Sequence, residues 1–222
     1  MRDVSIIGVG MTPVSEHWQH GLRHLASDAL QTAMQEANVK AIDALYVGNA
    51  FGGMFSSQSH LGALIADYAH LTGIEAYTIE AADASGGVAL RTGYLAVASG
   101  LVDTVAVVGV EKATDTIGNM RVQSRGVGLD ADFESSHGAT LPGLAGLLMQ
   151  RYMYEYGLEV DAFEGFSINA HGNGKINPNA MFRNTLRPGA FNKSPMVAEP
   201  VGLFDGAPDA DGAAAVILTS SE

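Results

Sequence analysis

The residues best placed to do chemistry fall in one short segment, Glu80-Ala81-Ala82-Asp83-Ala84-Ser85-Gly86-Gly87. It sets a single carboxylate among small side chains, and the helical spacing that follows predicts a helix over 83–99 with an unusually small opening face. Asp is among the best helix N-caps, so Asp83 is expected to accept from the amide of Ser85 or Gly86. The sharper reading makes the same carboxylate a general base or an electrostatic group. With no cysteine in the chain, thiolate catalysis, disulfides and Cys-ligated metals are excluded.

Other polar residues carry weaker signals. His60, His70 and His137 stand singly, without metal-ligand spacing. His171 sits in His171-Gly172-Asn173-Gly174-Lys175-Ile176-Asn177-Pro178, where it reads equally as a substrate contact or as a histidine hydrogen-bonded in a loop turn. Asp205, Asp209 and Asp211 alternate with Gly206, Pro208 and Gly212, which is turn chemistry ahead of a strand rather than a cation site. No metal is assigned. Lys175, Arg183 and Arg187 form a thin group of cations suited to phosphate.

These residues need a scaffold, and the hydrophobic periodicity supplies one. Runs at 4–9, 44–47, 77–81, 104–110 and 212–219 read as strands, and helical spacing appears at 22–37, 59–70 and 83–99. The βαβα order points to parallel pairing with helices on the sheet faces. Residues 104–110, TVAVVGV, are apolar almost without a break, as a central strand covered on both faces must be. Beyond Glu111 the pattern fades. A helix follows Pro142 and closes at Gly157, a third amphipathic segment runs over 160–171, and four prolines then punctuate an extended stretch. Residues 115–195 are therefore expected to form an insertion, part helical and part extended.

Composition narrows the function. A net charge of −12 with no cluster of Lys or Arg argues against nucleic-acid and anionic-membrane surfaces, which need clustered cations. Apolar runs are broken well short of a bilayer's thickness and the start lacks a leader, so a cytoplasmic protein is expected.

Several segments, taken in order, resemble the thiolase superfamily, most closely its sterol carrier protein-type and archaeal-type acyl-CoA members. They are Gly8-Val9-Gly10-Met11-Thr12-Pro13, the Asp83 segment, 151–157, 171–178, and Ser194-Pro195-Met196 through Asp211-Gly212-Ala213-Ala214-Ala215. The resemblance implies an α/β fold: a thiolase-like N-terminal half with a five-stranded mixed sheet covered by helices and a helical or extended loop insertion. It places Asp83 where relatives carry their nucleophilic cysteine, and makes Ser85, Gly86, His171, Lys175, Asn177 and Arg183 candidate substrate-binding residues. It implies acyl-CoA as substrate, no bound cofactor, and a homodimer formed through the strand near Tyr77. Residues 1–222 would be one N-terminal domain, completed by a separate C-terminal thiolase-like half or a small accessory subunit. An acyl-aspartate is an anhydride, uphill from a thioester, so covalent transfer is disfavoured. Three expectations follow: an acyl-CoA-handling subunit without a cysteine nucleophile, a retro-aldol lyase subunit acting on CoA-linked β-hydroxy substrates, or a non-catalytic scaffold. Tyrosines could serve such a lyase as acid and base, and nothing in the sequence singles out any of the seven.

Overall fold

The computed structural model describes residues 1–221. The chain divides into two compact units: Met1–Thr116 with Ala210–Glu222, and Ile117–Asp209. In chain order the first unit supplies strand β1 (Val4–Met11), helix α1 (Leu22–Glu36), β2 (Ala44–Gly48), the short α2 (Gly52–Phe55), α3 (Leu61–Tyr68), β3 (Glu75–Ile79), α4 (Ser85–Ser99) and β4 (Thr104–Glu111). The second unit holds α5 (Asn119–Gly126), α6 (Leu141–Tyr156), α7 (Glu164–Ile176), β5 (Met196–Ala198) and β6 (Val201–Gly202). The chain then returns to the first unit as β7 (Gly212–Ser220).

In the first unit the sheet order is β1-β7-β4-β2-β3. β2 runs parallel to β3 and β4, while β7 is antiparallel to β4 and β1, giving a mixed five-stranded sheet. β4 is central, as its unbroken apolar run requires. One sheet face packs on α1 and α3 through Leu25, Leu30, Leu45, Val47, Ile65 and Ile217. The other packs on α4 through Tyr46, Ala89, Val97, Val105 and Val107. Each Leu, Ile or Val among them contributes roughly 1.5–3 kcal/mol on full burial.

Small residues at Ala89, Gly93 and Ala96 let α4 lie close to the sheet, but only one of its faces is covered. Leu90, Tyr94 and Leu95 on the other side are about 40% exposed. In the second unit, the Thr140 hydroxyl accepts from Gly143, Pro142 lies in the first turn, and Gly157 closes α6 in the left-handed conformation. The segment expected over 160–171 is a 3-10 turn, Val160–Phe163, followed by α7. His171 and Lys175 therefore lie on a helix rather than in a loop. Among the described residues no helix is long and apolar enough to cross a membrane.

Candidate functional site

Asp83 follows β3 at the carboxyl ends of the parallel strands, where open α/β sheets commonly place their sites. Its turn is built by its neighbours. The Ala82 amide donates to Glu80 Oε1 at 2.6 Å, the Ala81 amide to Ser85 Oγ at 2.9 Å, and Ser85 Oγ donates to the Ala82 carbonyl at 2.6 Å. These bonds hold Ala82 at a φ of 46°, a left-handed conformation that costs a side-chain-bearing residue on the order of 1–3 kcal/mol. The strain sits directly before the carboxylate.

The expected cap is not there. α4 starts at Ser85, its N-cap is Ala84, and no side chain caps it. The reason is Ser85, whose buried hydroxyl already closes the preceding turn and moves the helix start past Asp83. The Asp83 side chain is exposed and has no hydrogen-bond or ion-pair partner among the described residues. Beside it Gly86 and Gly87 are exposed, and a Cβ at either would meet open space. An exposed carboxylate thus sits two residues before the positive end of a 15-residue helix whose first turn carries bare backbone.

The strand ends brace this turn. A Cβ on Gly48 would lie 2.7 Å from the Ser85 carbonyl oxygen and 2.9 Å from the Gly86 backbone nitrogen, so only glycine lets α4 rest on the end of β2. The next residue, Asn49, donates its amide to the Ile79 carbonyl at 3.1 Å and its side-chain Nδ2 to the Val110 carbonyl at 2.7 Å. Glu111 completes the brace: its Oε1 accepts from Asn49 Nδ2 at 3.1 Å and its Oε2 from the Phe51 amide at 2.9 Å.

A second polar cluster in this unit was not foreseen. Lys112 and Asp211 are both buried, with Nζ to Oδ2 at 2.9 Å, and Lys112 also reaches Asp115 at 3.0 Å and the His17 carbonyl at 3.1 Å. Asp211 Oδ1 accepts from the Ala113 and Thr114 amides, and Oδ2 from the Thr114 hydroxyl and the His17 amide. Burial alone would raise the Asp211 carboxyl. The hydrogen bonds from Thr114, His17 and Lys112 outweigh it and bring the pKa down to about 2. Burial likewise opposes the charge on Lys112, and the bonds to Asp211 and Asp115 win, raising it. Asp211 is thus a buried knot rather than a turn residue. Asp205 does serve a turn, accepting from the Gly202 amide, while Asp209 pairs with Arg121 and Arg125.

In the second unit, one face of α7 organises the neighbouring segments. Ser167 Oγ donates to the Phe204 carbonyl at 2.6 Å, and His171 Nδ1 lies 2.9 Å from the Asn184 carbonyl with its ring edge-on to Phe204. A Cβ on Gly174 would stand 2.7 Å from the Phe182 carbonyl oxygen, so that glycine admits the 182–184 segment. His171 and Arg187 line a cavity here of about 500 Å³. Lys175 and Arg183 are exposed elsewhere on this unit and do not line it, and Asn177 Oδ1 accepts from the Asn179 amide in the turn after α7.

With this geometry in view, the class is clear from comparison. The thiolase N-terminal domain model matches residues 4–196, and the chain belongs to the thiolase family. Among curated proteins it is similar to the acetyl-CoA acetyltransferase of Methanothermobacter thermautotrophicus, 41% identical over the whole of this chain and 58% of that protein. It is similar too to the acetyl-CoA acetyltransferase of Methanocaldococcus jannaschii, 43% identical over the whole chain and 57% of that protein. The chain therefore spans little more than half the length of these relatives. Among solved structures the fold is shared with the Ltp2-ChsH2(DUF35) aldolase, at a TM-score of 0.79 and 20% identity over 98% of this chain and 56% of that one.

Proposed function

We propose that this chain is the N-terminal part of an enzyme acting on acyl-CoA thioesters, with Asp83 standing where thiolases carry their nucleophile. One observation carries the reading: a carboxylate without a partner among the described residues, on a strained turn directly before the uncapped start of α4. The Ser85 amide is taken by the Ala82 carbonyl at 3.0 Å, and the exposed amides of Gly86 and Gly87 beyond it suit an oxyanion, with Ser85 bracing the turn that presents them. Lys175 and Arg183 are the cations offered for CoA phosphates, with Asn177 and His171 as further substrate contacts. The open apolar side of α4 supports a second thiolase-like half or an accessory subunit that covers it. The exposed β3 edge, with Tyr77 on it, supports a homodimer.

The carboxylate itself favours a non-covalent carbon–carbon lyase over acyl transfer. Asp83 would take the proton of a β-hydroxyl, the Cα–Cβ bond would break to release a carbonyl compound, and its electrons would form the thioester enolate. First-turn amides of α4 would hold the enolate oxygen until Cα is reprotonated from solvent.

The test supplies the purified protein, alone and with a co-expressed C-terminal thiolase-like half, with a panel of β-hydroxyacyl-CoA thioesters and with radiolabelled acetyl-CoA. Retro-aldol release of a carbonyl product is expected, reduced at least about 100-fold by Asp83→Asn, with no label retained on denatured protein. Label bound covalently to the wild-type chain, or turnover untouched by the substitution, would overturn the reading.

A further inference from the structure

We infer that the cavity of the second unit is a binding site for an apolar carboxylate, a medium-chain or aryl acid, separate from Asp83 and sharing only His171 with the acyl-CoA reading. Its volume of about 500 Å³ falls within the range of small-molecule sites, roughly 300–1,000 Å³. Leu186, Phe204 and Leu203 give it an apolar wall, and Phe182 and Leu203 stand more than half exposed, without a covering layer. Apolar surface alone would not specify a ligand. Two polar groups do.

The first is Arg187. It lines the cavity, and its guanidinium makes no ion pair or hydrogen bond among the described residues, in a chain where acidic groups outnumber basic ones two to one. A guanidinium left without a carboxylate beside an apolar wall is matched by an anion that brings its own apolar body, and its planar fork fits a carboxylate in bidentate fashion. The second is His171. In the neutral ring, Nδ1 donates to the Asn184 carbonyl, which leaves Nε2 as a lone-pair acceptor with no partner among the described residues. A ligand carrying a hydroxyl or amide donor on its apolar body would gain a bond there. The walls are set before any ligand arrives, because Ser167 fixes the Phe204 backbone and Gly174 seats Phe182 against α7. Such preorganisation lowers the ordering cost of binding.

The experiment is saturation-transfer NMR on the full chain with octanoate, with 1-octanol as the same chain lacking the charge, and with octanoyl-CoA as the same acyl group with its carboxylate masked. Octanoate is expected to saturate the protein. Arg187→Gln, an exposed change that leaves the fold intact, is expected to weaken octanoate about tenfold and leave octanol unchanged. Ala190→Trp, with folding checked by circular dichroism, is expected to remove both. The proposal fails if folded wild type shows no saturable octanoate binding, if Arg187→Gln binds octanoate as wild type does, or if octanoyl-CoA alone competes at this cavity. Because the readout never involves Asp83, its failure leaves the Asp83 chemistry proposed above standing, and failure of that chemistry leaves octanoate binding standing.

Discussion

Replacing Asp211 by Asn tests whether a buried ion pair holds the first unit together. Five donors converge on that carboxylate: two amides on Oδ1, and the Lys112 ammonium, the Thr114 hydroxyl and the His17 amide on Oδ2. An Asn keeps one acceptor oxygen and sets an NH2 against the remaining donors, so neither rotamer satisfies the site. Lys112, 3% exposed, is left with the His17 carbonyl and, as its one remaining carboxylate among the described residues, the outer Asp115. Loss of one member of such a pair costs about 3–5 kcal/mol. Proton linkage gives a second figure. The native pKa is about 2 against 3.8 for the free group, and a shift of that size is worth about 2 kcal/mol. The native value is depressed, so this contribution is complete above pH 3.8 and is lost as pH falls through 2. Urea denaturation followed by circular dichroism at pH 7, 5, 3.5 and 2 measures both. The variant should be less stable by at least about 3 kcal/mol at pH 7, and the gap should narrow by about 2 kcal/mol toward pH 2. A gap under about 1 kcal/mol at neutral pH, or one that stays constant with pH, would refute the argument.

Gly48→Ala should push the first turn of α4 off the end of β2, because the added methyl meets backbone atoms that have no flexible side chain to yield. It should cost roughly 1–3 kcal/mol by thermal unfolding and shift the amide NMR signals of Ser85 and Gly86, whereas unchanged signals would contradict the close approach. Asp83→Cys should put a thiol in the same helix-end field, which lowers a thiol pKa. Incubated with acetyl-CoA, that variant should gain one acetyl group by intact-mass spectrometry where wild type gains none.

The first unit was legible because its strands and helices repeat with clear periods, and because the run TVAVVGV has only one reading as a buried strand. Legibility failed where partners lie far apart along the chain. Lys112 and Asp211 are separated by 99 residues, so nothing local marked Asp211 as other than a turn residue before the last strand. α7 runs on to Ile176, past the end of the amphipathic segment expected over 160–171, although Gly172 and Gly174 are poor residues for a helix interior. Gly174 is there because the 182–184 backbone passes too close for a Cβ, a tertiary demand that overrides propensity. The cations at 175, 183 and 187 look equivalent in the sequence, and the fold separates them, so that of the three Arg187 shares the lining of one cavity with His171.

The same contrast bears on Asp83. Its favoured structural explanation was local: a good N-cap at a helix start. Ser85 takes over the hydrogen bonds that define the turn, the helix begins two residues later than the pattern predicts, and the capping account loses its geometry. What remains is a carboxylate without a partner among the described residues, on a backbone strained at Ala82 and seated by Gly48, which tolerates no substituent. Strain of this sort persists only where surrounding structure enforces it, and here Glu80, Ser85, Gly48 and the Asn49–Glu111 brace all do so. A side chain that contributes so little to its own fold, held by so many groups that do contribute, is explained more economically by what it presents to a ligand than by what it does for stability.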